Sequence, residues 1–259
     1  MALPGEDVRS SGRRGHQSAR AIIDVFIAAA PRGLYCGVVA LLYPGLAAMA
    51  LLSLVLLCLS FVDPPTSALM LRRQLEGDRI SNTWVPLKDI SPHLIRAVVS
   101  SEDARFCRHT GIDFAELDRA LTRGGETDLS DVRGASTISM QVTKNLFLWP
   151  GRSLVRKGLE LLITPLMELF WTKRRILEVY LNIAEWGPGI FGAEAAARAH
   201  FSKSARRLTP REAALLAAAL PNPLVRQAGN PGPKTWRHAR RIQRRMPGAR
   251  AYVDCIQRR

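Results

Sequence analysis

Between Leu34 and Val62 the chain reads LYCGVVALLYPGLAAMALLSLVLLCLSFV, without one charged side chain. No other feature restricts the architecture so strongly. About twenty apolar residues span the hydrocarbon core of a bilayer, so the run predicts a single transmembrane helix over 34–62. Pro44-Gly45 either kinks the span or marks where its continuous part begins, and the sequence leaves both open. A cleaved signal peptide has an apolar core of about 7–15 residues and ends at small residues. This run is longer and exits into Val62-Asp63-Pro64-Pro65, so it reads as an anchor.

The flanks set the expected orientation. Arg9, Arg13, Arg14, Arg20 and Arg32 lie upstream, a positive tail of the kind that stays in the cytoplasm. Arg72 and Arg73 weigh the other way, but the first flank usually dominates. The organisation that follows is a cytoplasmic basic tail (1–33), the span (34–62), a juxtamembrane linker (63–83) and a domain outside the cytoplasm (84–259). In a cell with two membranes that means a single-pass inner-membrane protein facing the periplasm. The tail reads as mostly unstructured, with AIIDVFIAAA (21–30) as a short interfacial helix.

A formal charge of +15 favours anionic partners: nucleic acid, lipid headgroups or a pyrophosphate. Zinc-ligand spacing and aromatic-interleaved RNA motifs are both lacking, which argues against nucleic acid. The five histidines show no HxxxH spacing, and no metal ligands are apparent. Cys36 and Cys58 fall in the apolar run, and Cys107 and Cys255 are isolated, so all four read as small apolar residues rather than a bridge.

The rest reads as helices with short connections, an all-α fold. Ser91-Pro92 opens a helix toward Glu102, and Asp113 caps one through Arg123. A mobile loop runs from Gly124 to Arg133. Ser136 is expected to cap a helix whose apolar stripe is Ile138, Val142, Leu146 and Trp149. Ser153 opens another through Trp171, which Pro165 should bend, since it cannot donate to the Leu161 carbonyl. KRRILEVYLNIAEW carries the next helix, and WGPGIFG is a tight glycine-rich turn. Thr209-Pro210-Arg211-Glu212 is a capping box before an alanine-leucine helix, and KTWRHARRIQRRM is a basic helix.

The chemistry concentrates in AVVSSEDARFCRHTGIDF (97–114). If that run is helical, Glu102, Arg105, Phe106 and His109 share one face. A carboxylate set among apolar side chains has its pKa raised toward the proton-transfer range. Two further blocks follow, GASTISMQVTKNLFL (134–148) and RKGLE (156–160). With ILEVYLNIAEWGPGIFGAEAAARAHF and LTPREAALLAAALPNP, these make five blocks in order over roughly 84–225. Together they resemble the peptidoglycan glycosyltransferase family, which polymerises lipid-linked disaccharides.

That resemblance implies a lysozyme-like fold and a set of site residues. Glu102 falls on the principal catalytic glutamate, which takes the proton from the attacking sugar hydroxyl; Asp103, Phe106 and His109 shape and brace the site. Ser136 and Thr137 match residues that help hold the donor, and Gln141 matches the second of two glutamines. Lys144 and Arg152 match cations that face the pyrophosphate. Arg156, Lys157 and Glu160 match the block with the second acidic residue, which assists the leaving group or positions a cation. The chain departs from the family at Met140, where glutamine is common, and at Trp186, where phenylalanine is usual. On a helix Met140 lies away from the face of Thr137, Gln141 and Lys144, which points to packing.

An α-linked donor and a β-linked product imply one in-line displacement with inversion. Such a step needs a base at the acceptor hydroxyl and positive charge at the departing diphosphate. No cofactor is required, although the resemblance leaves room for a divalent cation, magnesium or manganese, at the pyrophosphate. The implied partners are lipid II, the growing glycan strand, the membrane, and cell-wall synthesis or division proteins. No serine is followed three residues later by lysine, so cross-linking chemistry is not expected. The rivals are a lytic or hydrolytic lysozyme-like enzyme and a non-catalytic anchored scaffold. The LFLWP and LLITPLMELFW stretches read as core, with membrane contact the alternative.

Overall fold

A computed structural model describes residues 32–124, 136–151 and 153–257. The basic tail with its 21–30 segment, most of the expected mobile loop, and Arg152 lie outside the described residues. Helix α1 (Arg32–Phe61) carries the apolar run, and Pro44 sits within it. Its segment Leu42–Phe61 has a mean hydropathy of 2.2, long and apolar enough to cross a bilayer. The chain divides into two compact units, Met1–Leu54 and Val55–Arg259, with the boundary inside α1.

The second unit is mostly helical. It holds α2 (Ala68–Leu75), strand β1 (Ser81–Asn82), α3 (Pro92–Glu102), α4 (Phe114–Gly124), α5 (Ile138–Phe147), α6 (Leu154–Phe170) and α7 (Lys173–Ile183). Strands β2 (Glu185–Gly187) and β3 (Ile190–Phe191) come next, then α8 (Ala193–Phe201), α9 (Pro210–Ala219), α10 (Pro233–Arg245) and α11 (Asp254–Gln257). Residues 63–83 are therefore more than a linker, since α2 forms there with Ser67 as its N-cap and packs toward α5. The glycine-rich turn is also more than a turn: β2 and β3 pair antiparallel, and β1 adds in parallel to β3. Gly189 makes that hairpin possible, because its φ is +69° and a Cβ there would meet the Arg79 carbonyl oxygen at 2.4 Å.

Two helical clusters position the site. In one, α9 packs against α3 and α10. Five of its seven consecutive buried residues, Ala213–Ala219, are alanines, small enough to let the neighbouring backbones approach, and the Thr209/Glu212 capping box starts the helix as expected. In the other, α5 packs against α6 and α7. Ile138, Val142 and Leu146 form its buried stripe, but Trp149 lies beyond the helix end and is exposed. The cap of α5 is Thr137, not Ser136, because the Thr137 hydroxyl accepts from Met140 N at 3.1 Å. Helix α6 starts at the Ser153 cap and runs through Pro165 as one element. Its Ile163, Thr164 and Met167 are core, whereas Leu154, Val155, Leu162 and Leu169 are exposed. Met140 and Trp186 are both buried, so each departure from the family pattern is a packing residue.

Within the second unit the end of α1 is fastened to the domain. The Trp171 indole donates to the Leu56 carbonyl at 2.7 Å. The Arg175 guanidinium donates to the Leu59 and Val62 carbonyls and pairs with Asp63 at 2.7 Å. A cation at the carbonyl end of a helix satisfies its orphan acceptors and complements its dipole.

Cysteine usage needs correction. Cys107 and Cys255 form a disulfide, with Cα atoms 5.6 Å apart and a separation of 148 positions in sequence. It ties the 3-10 turn Phe106–Arg108 to α11, which also packs near α7. Isolation in sequence hid the pair, because only the return of the C-terminal segment brings the two residues together. Cys58 is free and exposed.

Candidate active site

Helix α3 starts at the Ser91 cap with Pro92 in its first turn and ends at Glu102. The expected single helical face does not form, because Asp103 leaves the helix at φ −160°. Its carboxylate is drawn to tertiary partners instead: Ile138 N donates at 3.0 Å and His109 Nε2 at 3.0 Å. Gly111 N donates to His109 Nδ1 at 3.2 Å, which leaves Nε2 as the protonated nitrogen facing Asp103. Asp103 thus joins the end of α3, the 106–112 turn and the start of α5. Gly111, at φ +94°, closes the turn, and its carbonyl accepts from the Thr137 hydroxyl at 2.5 Å. Phe106 is fully buried beneath, under the Lys173 ammonium at 4.5 Å from its ring centre.

Glu102 stands at a cleft of about 240 Å3, lined also by Ser101, Arg105, Glu116, Ser136 and Arg245. Gln141 Nε2 donates to its Oε2 at 3.2 Å, and Tyr180 OH donates to Gln141 Oε1 at 3.1 Å. Burial raises the Glu102 pKa above the usual carboxylate value, with Asp103 adding to the rise while the Gln141 bond, Lys144 and Arg226 oppose it. Tyr180 is buried, and burial first, then Glu102 and Asp103, push its hydroxyl well up, so it stays a donor. Together these groups hold a carboxylate in one rotamer at a raised pKa, which suits a general base.

The cations gather on the other side of Gln141. Lys144 is half-buried, its pKa lowered by burial and by Arg156 while Glu102 acts the other way. Lys157 Nζ donates to Ser136 Oγ at 3.4 Å and to Glu160 Oε2 at 3.1 Å. Arg156, one turn away, pairs with the other Glu160 oxygen. Glu160 is 2% exposed, so its carboxylate faces these two cations rather than the open cleft. Burial, then Arg156 and Lys144, lower the Lys157 pKa to about 8.

Eleven of the twelve expected residues are described, and they converge on this region from α3, the turn after it, α5 and α6. Two of them are used differently from the expectation. The Thr137 hydroxyl is spent between Gly111 O and Met140 N, and Phe106 is core. Three residues were not singled out from sequence: Arg245 in the cleft lining, Tyr180 behind Gln141, and Arg226, whose charge acts on Glu102. Tyr180 lies in the ILEVYLNIAEW block, where a lone hydroxyl in an apolar helix face was the available signal.

Glu102 must be ionised and Lys157 charged for a base and a diphosphate clamp to work together. Since kcat/KM reports the free enzyme, its acid limb should lie above the usual carboxylate value and its alkaline limb should fall near pH 8. Lys157→Arg should move only the alkaline limb upward; an unmoved limb excludes Lys157 as its origin. Separately, Met140→Leu preserves volume and should keep most activity. Gln141→Ala frees Glu102 and Tyr180 at once and should cost about a hundredfold. Equal severe losses in a polymerisation assay would show that Met140 meets substrate.

Comparison with known proteins adds an independent result. The Transglycosylase family profile matches residues 70–246. The chain is 54% identical over 207 residues to the biosynthetic peptidoglycan transglycosylase of Rhodospirillum centenum, covering 78% of this chain and 87% of that protein. It is 52% identical over 183 residues to the protein of the same name from Haemophilus influenzae, covering 68% and 74%. For the Agrobacterium fabrum protein of that name the figures are 48% over 192 residues, 74% and 84%.

Proposed function

The chain belongs to the transglycosylase family of peptidoglycan glycosyltransferases, and on that premise we propose that its cleft joins lipid II units into glycan strands with Glu102 as the base. The observation that carries this assignment is the Glu102 carboxylate, raised in pKa, fixed by Gln141 and Tyr180, and faced by a bank of cations. In the reaction the acceptor hydroxyl oxygen bonds to the donor's anomeric carbon from the side opposite the diphosphate. The bond from that carbon to the diphosphate oxygen breaks with its electron pair, and the hydroxyl proton passes to Glu102. Lys144 and Lys157, with Arg156 behind them, stabilise the charge that grows on the leaving diphosphate. Arginine grips phosphate oxygens bidentately, while lysine acts as a compact charge.

A divalent cation bridging the diphosphate to Glu160 does not fit this arrangement. Both Glu160 oxygens are already engaged, one with Arg156 and one with Lys157. Among the described residues no group of three His, Cys, Asp or Glu side chains is placed to hold a metal.

The proposed setting is the inner membrane, with the N-terminus cytoplasmic, the domain periplasmic and α1 as the anchor. The arginine-rich N-terminal flank supports this orientation, and so does the Cys107–Cys255 disulfide, since such bonds persist in oxidising compartments. The exposed Leu154, Val155, Leu162 and Leu169 on α6 supply an apolar surface suited to the bilayer face where a lipid tail remains. Purified full-length protein given lipid II should produce polymer. Folded protein that produces none, or a reporter fused after Arg259 that works only in the cytoplasm, overturns the proposal.

A further inference from the structure

The C-terminal part of the chain carries a charge pattern that the reaction above does not use. Between Glu212 and Asp254 there is no acidic residue, and there are eight Lys or Arg. Thr235, Ala239 and Ile242 bury one face of α10, which turns its cations to the other. Arg226, Lys234, Arg237, Arg240, Arg241 and Arg244 then line a groove of about 870 Å3. Among the described residues none of the six forms a salt bridge, and every salt bridge there lies outside this groove. Arg211 and Arg240 stack on Trp236 at 4.5 and 5.4 Å from its ring, which stiffens one rim. The His238 imidazole, also in the groove, is pushed down by burial and then by Arg241, Arg226 and Arg245, so these guanidiniums act on one small volume. Like charges this close oppose the folded state until an anion neutralises them.

Position identifies the anion. Arg245 lines the catalytic cleft and the adjacent Arg244 lines the groove. Arg226 lines the groove, and its charge is felt by Glu102. The groove therefore adjoins the cleft across α10, with Arg244 on one and Arg245 on the other. A flat anionic membrane is a poorer match: the surface is concave, and no large exposed hydrophobic side chain lies on α10.

We propose that this groove extends the cleft and holds the carboxylates of the peptides borne by the glycan strand, with Arg237, Arg241 and Arg244 pairing to them. The inference rests on the polymerase reading above. Its test uses full-length protein in detergent and lipid-free glycan strands as the probe, with peptide carboxylates either intact or amidated. Wild type should bind intact strands about tenfold more tightly than amidated ones, equivalent to about 1.4 kcal/mol. The preference should shrink with added salt and vanish in the R237Q/R241Q/R244Q variant. Equal binding of intact and amidated strands by wild type overturns the proposal, whether or not the variant folds. It is also overturned if the folded variant keeps the preference and loses only its affinity for vesicles rich in anionic phospholipid. Strand binding needs no turnover, so a chain that discriminates the two strands yet cannot polymerise lipid II refutes the polymerase reading and spares the groove.

Discussion

Glu102→Gln should lower polymerisation by about a hundredfold to ten-thousandfold, the usual contribution of a positioned general base. Glutamine keeps the size of the side chain and still accepts the Gln141 hydrogen bond, so the loss isolates the proton acceptor. Stability should move the other way. A carboxyl whose folded pKa is raised contributes stability below its unfolded pKa and loses that contribution as pH rises through the folded pKa. Burial raises Glu102 in this sense, so at neutral pH the ionised side chain is a strained feature of the native state. The amide removes that cost, and the variant should melt at or above the wild-type temperature at pH 8, with the advantage shrinking toward pH 4. A folded Glu102→Gln protein that polymerises near the wild-type rate would remove Glu102 from the chemistry. One that melts well below wild type would show instead that the carboxylate is structural.

The site was legible in sequence to the extent that its residues act through local blocks. The apolar helix, the Thr209/Glu212 capping box and the order of the helices follow from patterns legible along the chain, and Glu102 could be matched because its block is dense in unusual neighbours. What escaped depends on chain segments that meet only after folding. Asp103 leaves the helix because Ile138, 35 residues on, offers it a backbone N–H, so a helical-face reading of 97–114 could not hold. Tyr180 gains its role from the packing of α7 on α5, where its hydroxyl reaches Gln141. The disulfide joins residues 148 apart. Thr137 illustrates the reverse case: a hydroxyl matched to a binding block is consumed as the cap of α5, which Ser136 had been expected to provide. Local periodicity carries no record of such long-range partners.

Glu160→Gln should damage the protein by a different route, and the two glutamates should separate cleanly. Viewed from the sequence, Glu160 acts through charge near the leaving group, which makes its loss milder than that of Glu102. The structure revises this, because Glu160 is 2% exposed and is the shared partner of Arg156 and Lys157. Breaking a buried pair by removing one member costs about 3–5 kcal/mol, since the remaining charge is left uncompensated. Here two cations are stranded, and Arg156 is itself 8% exposed. The melting temperature should therefore fall by many degrees, in contrast to Glu102→Gln. Lys157 should also titrate lower, because a neighbouring carboxylate favours its charged form and its pKa already stands at about 8 with Arg156 and Lys144 beside it. The alkaline limb of kcat/KM should accordingly move below pH 8 in whatever protein remains folded. Adding Lys157→Met removes one stranded charge and should restore part of the lost stability, a coupling expected only if the two side chains share one ion pair. Divalent cation should restore none of it. If Glu160→Gln melts like wild type with an unmoved alkaline limb, the carboxylate does not support the cation bank and the assignment of Lys157 falls with it.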